Sequence, residues 1–415
     1  MPETVIYHID VNSAFLSWDA VWRLEQDAAA PDIRTFPAVI GGDEQLRRGI
    51  VLAKSPSAKR YGIRTGEPLA AARRKCPTLK IYPPHFDLYV QRSAQFLELL
   101  RKYAPSVEAY SIDEAFCDMT GTRLLYGDPV AFAHKLKSII YEELGFTVNI
   151  GVSANRLLAK MASDFEKPDR VHTLFWDELP QKFWPLPIEE LFFVGRSSAN
   201  RLRSLGITTI GELAASDRSR IVSALKAHGD TLWNYANGIE AVPLTHSEPA
   251  NKGYGNSMTI PFDVTDEATA KRVLLSLCET VGARLRAAGA YISVVQVQIT
   301  DCEFRNTSRQ TTLPSSTNIT ERIYTCVCEL FHAAWDGTPI RLLGVYTSRA
   351  TLEQYDLFES SRNEKLSRLN SAVDQIRGRY GEDSVKRACF IEQPSDSREI
   401  SHMTGGMSRA KRNKP

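Results

Sequence analysis

Apolar residues at alternating and at helical spacing divide the first 165 residues into strands and helices. Residues 5–11 (VIYHIDV) are β-branched and alternate loosely, which predicts a buried strand. Residues 12–26 then place apolar side chains at helical spacing, so we expect this strand to run into a helix that Asn12 or Ser13 caps. Further elements are expected at 86–103 (helix), 106–120 (two short strands), 128–144 (helix), 146–153 (strand) and 155–165 (helix). This β-α-β-β-α-β order is typical of a ferredoxin-like fold.

Glycine and proline interrupt the pattern in two places, and each interruption predicts a change of domain. Between the first helix and about residue 82, short segments punctuated by these residues predict a small irregular subdomain. Three prolines within 176–187 predict a boundary into a helical segment of about 188–240.

Residues 191–214 within that segment show two helical patterns joined by a short turn at Gly195. Ser197 and Ser198 are placed to cap the second helix, which predicts a helix-hairpin-helix. The backbone N–H groups around Gly195 could then hold a phosphate without reading a base. An ordinary corner between two helices with a glycine turn is the alternative.

The second half of the chain predicts another α+β unit at about 253–350. Strand-like runs such as YISVVQVQIT alternate there with helices over about 266–288 and 318–335. One more amphipathic helix is expected near 364–380, followed by a polar tail. The pattern therefore predicts an α+β protein of several domains.

Composition narrows the class of protein. A length of 415 residues predicts about three domains, and no window approaches the roughly 18 apolar residues of a membrane span. The start of the chain lacks a basic region followed by an apolar stretch, so we expect an intracellular protein. Seven cysteines without a C-x-x-C pair argue against a disulfide framework and a zinc site. The net charge is only +2, but residues 47–80 contain ten basic residues and one acid.

Three carboxylates follow strands that we expect to be neighbours in one sheet. Asp10 ends the first strand, and Asp113 and Glu114 lie where two later strands meet. Carboxylate oxygens suit Mg²⁺ or Mn²⁺, and two such ions can clamp both oxygens of a phosphoryl displacement. Because adjacent strand residues point to opposite faces, Asp113 and Glu114 share a site only if the strand bends there. Such a site is compatible with a polymerase, a cyclase or a nuclease.

Five segments together carry a resemblance to a known family: YHIDVNSAFLSWDA, VLAKSPSAKRYGIRTGEPL, YSIDEAF, GVSANRLLAKMASDFEKPD and VGRSSANRLRSLGI. They resemble the Y-family translesion DNA polymerases, and within them the bacterial DNA polymerase IV (DinB/UmuC-like) type. The resemblance covers about residues 4–390. It implies a right-hand polymerase with a ferredoxin-like palm, small fingers, a helix-hairpin-helix thumb and an α+β little finger.

The resemblance also implies the domain boundaries. These are the palm at 1–17 and 83–176, the fingers at 18–82, the thumb at 177–241, a linker at 242–252, the little finger at 253–350 and a C-terminal tail at 351–415.

By the same resemblance, Asp10 and Asp113 bridge two Mg²⁺ ions, for which Mn²⁺ can substitute. Glu114 completes the ion that activates the primer 3′ hydroxyl, and the carbonyl of Val11 joins the ion that accompanies the triphosphate. Phe15 matches the steric gate that leaves no room for a 2′ hydroxyl, with an ordinary core residue as the alternative. Lys160 matches a lysine that reaches the triphosphate, with a solvent-facing lysine as the alternative.

The sequence departs from the commoner family pattern at two places. Pro56 and Lys59 stand where a tyrosine and an arginine usually contact the phosphates, and a lysine lacks the bidentate fork of an arginine. Phe193 replaces the first glycine of the hairpin's Gly-Val-Gly. We therefore expect the thumb to contact the DNA backbone near Gly195 with an altered turn geometry.

A short peptide near the C terminus resembles the Q-x-[SD]-L-F pentapeptide that docks bacterial polymerases on the sliding clamp. Gln354 would hydrogen-bond at the edge of a pocket on the clamp β subunit, and Leu357 and Phe358 would enter it. Core packing is the alternative for these residues.

The function implied is a template-directed, low-fidelity DNA polymerase without proofreading, which adds dNTPs to a primer 3′ end and bypasses damaged bases. Its expected partners are primer-template DNA, dNTPs and the sliding clamp, and we expect a monomer in the bacterial cytoplasm that has no membrane association. The alternatives are a catalytically silent DNA-binding accessory protein with the same fold, and another two-metal nucleotidyl-transfer enzyme such as a cyclase.

Overall fold

The computed structural model describes residues 4–43, 47, 49–240, 251–352 and 361–390. The chain divides into two compact units, the first within 1–40, 52–65 and 75–248 and the second within 41–51, 66–74 and 249–415. None of the helices described here is both long and apolar enough to cross a lipid bilayer.

The elements up to residue 173 follow in chain order. They are β1 (Ile6–Val11), α1 (Ala14–Gln26), β2 (Ala38–Gly41), β3 (Val51–Lys54), α2 (Pro56–Arg60), α3 (Leu69–Lys75), β4 (Lys80–Tyr82), α4 (Phe86–Tyr103), β5 (Ser106–Ala109), β6 (Glu114–Asp118), α5 (Arg123–Tyr126), α6 (Pro129–Leu144), β7 (Val148–Ser153), α7 (Arg156–Ser163) and β8 (Val171–Thr173).

The later elements are mostly helical up to residue 240 and then mixed. They are α8 (Arg196–Ser204), α9 (Ile210–Ala214), α10 (Arg218–Ala236), β9 (Gly255–Val264), α11 (Glu267–Ala287), β10 (Tyr291–Asp301), β11 (Asn306–Thr317), α12 (Thr320–Ala334), β12 (Ile340–Thr351) and α13 (Ser361–Tyr380).

A five-stranded sheet in the order β5-β6-β1-β7-β8 forms the centre of the first unit. β1 pairs antiparallel with both β6 and β7, and all six of its residues are buried. The predicted β-α-β-β-α-β order is confirmed, with the helices α4, α6 and α7 packed against this sheet. The register places Asp10 opposite Glu114 on one side and opposite Asn149 on the other. Two of the three expected carboxylates are therefore neighbours.

Local signals explain where the helices begin and end. The side chain of Asp128 accepts a hydrogen bond from the Ala131 N–H at 2.9 Å, Pro129 occupies the first turn of α6, and Gly145 ends it at φ 74°. The expected caps of α1 are only partly confirmed. Ser13 occupies the N-cap position, but it has φ 50° and its side chain makes no capping hydrogen bond.

The helical segment after the palm differs from its predicted form. Residues 191–194, where a first hairpin helix was expected before Gly195, form a turn and no helix, and α8 begins at Arg196. Gly195 is the N-cap residue, so Ser197 and Ser198 lie inside α8 and the prediction that they cap it is wrong. A serine caps a helix only from an extended backbone just before the first turn, and here Gly195 holds that position with φ −84° and ψ 170°.

The second unit contains a four-stranded sheet in the order β11-β10-β12-β9, packed against α11 and α12. The helices expected over 266–288 and 318–335 are confirmed as α11 and α12. α13 attaches to this unit through ion pairs, one of them buried. Arg377 binds Glu279 at 2.6 Å, and Arg286 binds Asp374 at 2.5 Å.

The predicted domain boundaries stay predictions. The segment assigned to the fingers, 18–82, is shared between the two compact units. Within the second unit, Arg47 from that segment binds Asp263 of β9 at 2.6 Å. The proposed linker lies largely outside the described residues.

We expect Gly151→Ala to destabilise the first unit strongly. A Cβ atom at Gly151 of β7 would lie 1.9 Å from the backbone oxygen of Ala159 and 2.5 Å from the backbone nitrogen of Ser163. Because both atoms belong to the backbone of α7, no rotamer change relieves the clash, and the free energy of unfolding should fall by about 2 kcal/mol or more. Differential scanning calorimetry should show a Tm lowered by about 4 °C or more.

Gly195→Ala is the matched control. Nothing lies within 4 Å of a Cβ atom at Gly195, and its backbone is in a region that alanine adopts freely. An equal loss of Tm in both variants would contradict the close packing of α7 on β7.

Candidate active site

Asp10 is the second-to-last residue of β1, the central strand of the five-stranded sheet, and is almost completely buried, with 7% of its surface exposed. Its neighbour Glu114 begins β6, and the two lie opposite each other in the sheet register. Both carboxylates therefore lie at the same end of the sheet.

Asp113 reaches this position because it precedes β6 in a turn. The backbone N–H groups of Tyr110 and Ser111 both donate to the carbonyl of Glu114, at 3.0 and 3.1 Å, and close that turn. The N–H of Val11 donates to the carbonyl of Asp113 at 3.0 Å and ties the turn to β1. The alternation of side chains along a regular strand therefore does not separate Asp113 from Glu114.

Two lysines neutralise the carboxylates of Asp10 and Glu114. Lys167 forms an ion pair with Asp10, and Lys160, which is 7% exposed, binds Glu114 at 2.5 Å. Asp164 joins both lysines, at 3.3 Å from Lys160 and 2.8 Å from Lys167. The five side chains form one ion-pair network at the end of the sheet.

Buried amides hold the turn that carries Lys167. The side chain of Asn149 donates to the carbonyls of Ser163 at 3.1 Å and Glu166 at 2.8 Å. The carbonyl oxygen of the Asn12 side chain accepts from the N–H of Asp169 at 2.9 Å. Asn149 of β7 and Asn12, directly after β1, thus position the turn through their side chains, and a cis peptide bond joins Lys167 to Pro168.

Burial sets the electrostatics of Asp10. Loss of hydration raises the pKa of the Asp10 carboxyl to about 6, although the ammonium of Lys167 opposes that rise. Burial alone would lower the pKa of Lys167, but Asp10 and Asp164 outweigh it and raise that pKa to about 12. The ion pair therefore stabilises the charged form of Lys167. For Asp10, burial has the larger effect and favours the neutral carboxyl.

The donor set fits divalent cations in its chemistry. Carboxylates of Asp10, Asp113 and Glu114 and the carbonyl of Val11 are hard oxygen ligands near one end of β1. Among the described residues, however, no three His, Cys, Asp or Glu side chains are grouped as they would be around a metal ion. Asp10 and Glu114 form ion pairs with Lys167 and Lys160 instead. The metal site therefore stays a prediction.

A cavity of about 710 Å³ opens beside these carboxylates within the first unit. Its palm side includes Asp10, Asp113 and Phe15. Residues 52–56 and the basic side chains of Lys59 and Arg60 line its fingers side. Lys167 lines the cavity, whereas Lys160 is buried outside its lining.

The fingers contribute to the cavity through a very short helix. Ser55 caps α2 by accepting from the N–H of Ala58 at 3.1 Å, and Pro56 fits the first helical position because it needs no donor there. Pro56 therefore starts the helix that carries Lys59 and Arg60, both of them exposed.

The thumb turn keeps a conformation that suits glycine. Phe193 has φ 72°, a left-handed backbone that costs a non-glycine residue about 1–2 kcal/mol. Its ring packs edge-on against Phe192 at 4.6 Å and Tyr235 at 6.0 Å. Gly195 is exposed at the start of α8 and does not line the cavity, and its contact with DNA stays a prediction. The clamp-like peptide with Gln354, Leu357 and Phe358 lies outside the described residues.

Comparisons with known proteins agree with this architecture. The impB/mucB/samB family model matches residues 9–164, and the model of that family's C-terminal domain matches residues 251–357. A protein of Clostridium acetobutylicum named DNA polymerase IV is 43% identical over 392 residues, which cover 94% of this chain and 98% of that protein. A protein of Moorella thermoacetica with the same name is 39% identical over 388 residues, which cover 92% and 95%.

A solved structure of a Y-family DNA polymerase chimera matches with a TM-score of 0.71, covering 84% of this chain and all of that one. At 21% identity this match concerns the fold, and it confirms the expected α+β architecture. Together the comparisons show that the chain belongs to the Y-family of DNA polymerases. Within that family it is of the DNA polymerase IV type, and as an enzyme it is a DNA-directed DNA polymerase of the translesion class.

Three residues of the site were not singled out from the sequence: Lys167, Asp164 and Arg60. All three lie inside the segments that carried the family resemblance, two of them in the A-K-x-A-S-D-x-x-K-P block. Both lysines of that block are visible in the sequence, but only the fold shows that Lys167 rather than Lys160 lines the cavity.

We expect Asp10→Asn to stabilise the metal-free protein at pH 8. The pKa of Asp10 in the folded protein, about 6, lies above its ordinary value of 3.8, so ionisation opposes folding as the pH rises through that window. The variant should gain about 1–3 kcal/mol at pH 8 and almost nothing below about pH 4. Tm measured in EDTA across this pH range tests the prediction.

Asp113→Asn is the matched control, because its carboxyl lies in the same site but is half-exposed. A Tm difference for Asp10→Asn that does not grow between pH 4 and pH 8 would contradict the effect of burial.

Proposed function

We propose that this protein adds dNTPs to a primer 3′ end by two-metal phosphoryl transfer, with low fidelity, and extends past damaged template bases. The observation that carries the proposal is one cavity that joins the palm carboxylates, the ring of Phe15 and the basic side chains of the fingers. A nucleoside triphosphate needs all three: metal ligands, a wall against its sugar and cations for its phosphates.

The carboxylates of Asp10, Asp113 and Glu114, with the carbonyl of Val11, would hold two Mg²⁺ ions. Bound there, the ions would neutralise charge on the phosphates and favour ionisation of the primer hydroxyl. The chain's own contribution is to hold Asp10 and Glu114 side by side through the β1–β6 register. Lys167 compensates Asp10 in the metal-free protein and would be released from it as metal and nucleotide bind, whereas Lys160 would stay beside Glu114.

Phe15 would form the wall beneath the deoxyribose. It follows Asp10 by five residues, is half-buried and lines the cavity. A ring fixed at this place excludes a 2′ hydroxyl by contact, which needs no hydrogen bond. The favoured substrates are therefore deoxynucleotides.

Lys167 would bind the triphosphate, together with Lys59 and Arg60 of the fingers. All three line the cavity, and an arginine at position 60 offers the planar fork that Lys59 lacks. Lys160 keeps a second role in this proposal, because its ammonium lies at 2.5 Å from Glu114 and holds that carboxylate in place.

Primer-template DNA would bind mainly through its phosphates, with the thumb near Gly195 among the contacts, so affinity should fall with salt. No segment resembles a proofreading exonuclease, which supports low fidelity. We further propose that the chain acts as a monomer in the bacterial cytoplasm and docks on the sliding clamp through Gln354, Leu357 and Phe358.

A silent DNA-binding accessory protein is the competing function. Such a protein would not need a charged carboxylate at Asp10, where burial disfavours the charge in the folded protein. A carboxylate maintained against that penalty supports catalysis.

We expect Asp113→Ala to abolish primer extension while leaving DNA binding intact. Losing one metal ligand removes charge stabilisation at the reacting phosphate, so the rate should fall by about 100-fold or more. The measurement is single-nucleotide extension with Mg²⁺ on an undamaged and an abasic template, with primer-template affinity measured by fluorescence anisotropy.

Asp118→Ala is the control, because this carboxylate lies on the same strand as Glu114 but at its far end. Extension by Asp113→Ala at the wild-type rate would refute the metal assignment. A wild type that binds primer-template and never extends it with Mg²⁺ or Mn²⁺ would favour the accessory protein.

We expect Lys167→Met to raise the KM for dNTP by about tenfold, because a charge-assisted contact with the triphosphate is lost. Lys160→Met should lower kcat more than it raises KM, since it leaves Glu114 without its nearest cation. Steady-state kinetics on one primer-template separate the two effects.

Lys102→Met, an exposed lysine of α4, controls for loss of positive charge. A rise in KM confined to Lys160→Met would instead support the role that the family resemblance gives Lys160. A rise in neither variant would remove the phosphate contact from both lysines.

A further inference from the structure

The ring of Phe15 rests on an aromatic platform provided by α4. It stacks on Tyr89 with the ring centroids 4.4 Å apart and the planes only 9° from parallel. Phe86 meets the edge of Phe15 at 6.4 Å, and Trp18 lies 6.1 Å away. Phe15 is half-buried, whereas Tyr89 and Trp18 are fully buried. The depth to which Phe15 projects into the cavity therefore depends on where Tyr89 is held.

Tyr89 is held by a buried carboxylate. Its hydroxyl donates to Oδ2 of Asp19 at 3.0 Å. The side chain of Asp19 is completely buried and has two more partners. Nε of Arg23 donates to Oδ1 at 2.7 Å, and Nδ1 of His85 lies 2.8 Å from Oδ2. Three groups thus converge on one carboxylate that does not line the cavity.

These contacts join two helices, α1 and α4. Phe15 and Asp19 lie one turn apart on α1, and Tyr89 of α4 touches both of them. His85 immediately precedes α4, and its carbonyl accepts from the N–H of Tyr89 at 3.1 Å. Asp19 therefore fixes the start of α4 at two points one turn apart, and the platform cannot shift along α1 while both bonds are made.

We propose that Asp19 is a positioning residue for sugar selection, acting through Tyr89 on the ring of Phe15. The inference rests on the proposed role of Phe15 as the wall beneath the deoxyribose. Asp19 touches no part of the cavity, and its effect reaches the substrate only through the stacked pair.

The physical reason is the steepness of steric exclusion. A 2′ hydroxyl is rejected by contact with a ring edge, so a displacement of the ring by a fraction of an ångström changes that contact greatly. A hydrogen bond to a buried, charged acceptor is stronger than a neutral one and keeps Tyr89 in a single position. Without this hydrogen bond, Tyr89 and the stacked ring of Phe15 can move away from the cavity together and leave room for a ribonucleotide.

The simpler role for Asp19 is to stabilise the packing of α1 on α4 without affecting selection. The two roles differ in one measurable ratio, the kcat/KM for a dNTP divided by the kcat/KM for the matching rNTP. Both values come from the same preparation, so the fraction of folded enzyme cancels. Loss of stability alone lowers both values and leaves the ratio unchanged.

The test compares Tyr89→Phe and Asp19→Asn with the wild type on one primer-template. Tyr89→Phe keeps the stacked ring and removes only the hydroxyl, and Asp19→Asn keeps the shape but replaces an acceptor with a donor. We expect the ratio to fall by about tenfold in both variants, with most of the change in the KM for the rNTP. The double variant should fall little further, because both changes cut the same connection.

Tyr103→Phe is the matched control, since it makes the same chemical change on the same helix, where Tyr103 packs against Tyr126 and Phe132. Phe15→Ala separates the two hypotheses. If Phe15→Ala leaves the ratio unchanged, the wall itself is refuted. If Phe15→Ala lowers the ratio while Tyr89→Phe and Asp19→Asn match Tyr103→Phe, the wall stands and the role of Asp19 is overturned.

Discussion

The pairing register of β1 is the constraint on which the rest of the site depends. β1 lies between β6 and β7, and its register sets Asp10 opposite Glu114 and Asn149. Because side chains alternate along a strand, a slip of one residue would turn Asp10 to the other face of the sheet and place an apolar neighbour in its position. Complete burial of β1 on both faces makes that slip costly. The position of the Asp10 carboxylate therefore follows from the same apolar contacts that form the sheet.

That position creates an electrostatic conflict that the fold resolves only in part. Asp10 is charged where burial disfavours charge, and Glu114 lies beside it. Lys160 and Lys167 supply the compensating charge, and Asp164 holds the two lysines together. A buried ion pair is weak evidence for stability, because desolvation offsets most of the attraction. In the proposed function, a divalent metal would replace Lys167 beside Asp10.

The sequence predicted the palm well because its elements are long and strongly periodic, and the helices α4, α6, α11 and α12 lie close to their expected ranges. Local chemistry was harder to predict. Ser197 and Ser198 are good capping residues, but the extended backbone that a cap requires belongs to Gly195. No pattern in the sequence indicated which distant residues would meet. Asp19, for example, contacts His85 and Tyr89, which lie 66 and 70 residues away along the chain. The cavity position of Lys167 likewise depends on the buried amides that hold its turn.

Asp10 and Phe15 lie on one continuous stretch of the chain, the strand β1 and the first turn of α1. The strand is fixed by its two neighbours in the sheet, and the helix is fixed on α4 through Asp19. The separation between Asp10 and Phe15 is therefore set by the packing of β1 and α1. The opposite side of the cavity is built differently, from a helix of five residues with exposed Lys59 and Arg60. In the proposed function, the side held by β1 and α4 would select the sugar, and the short helix opposite would contact the triphosphate through its basic side chains.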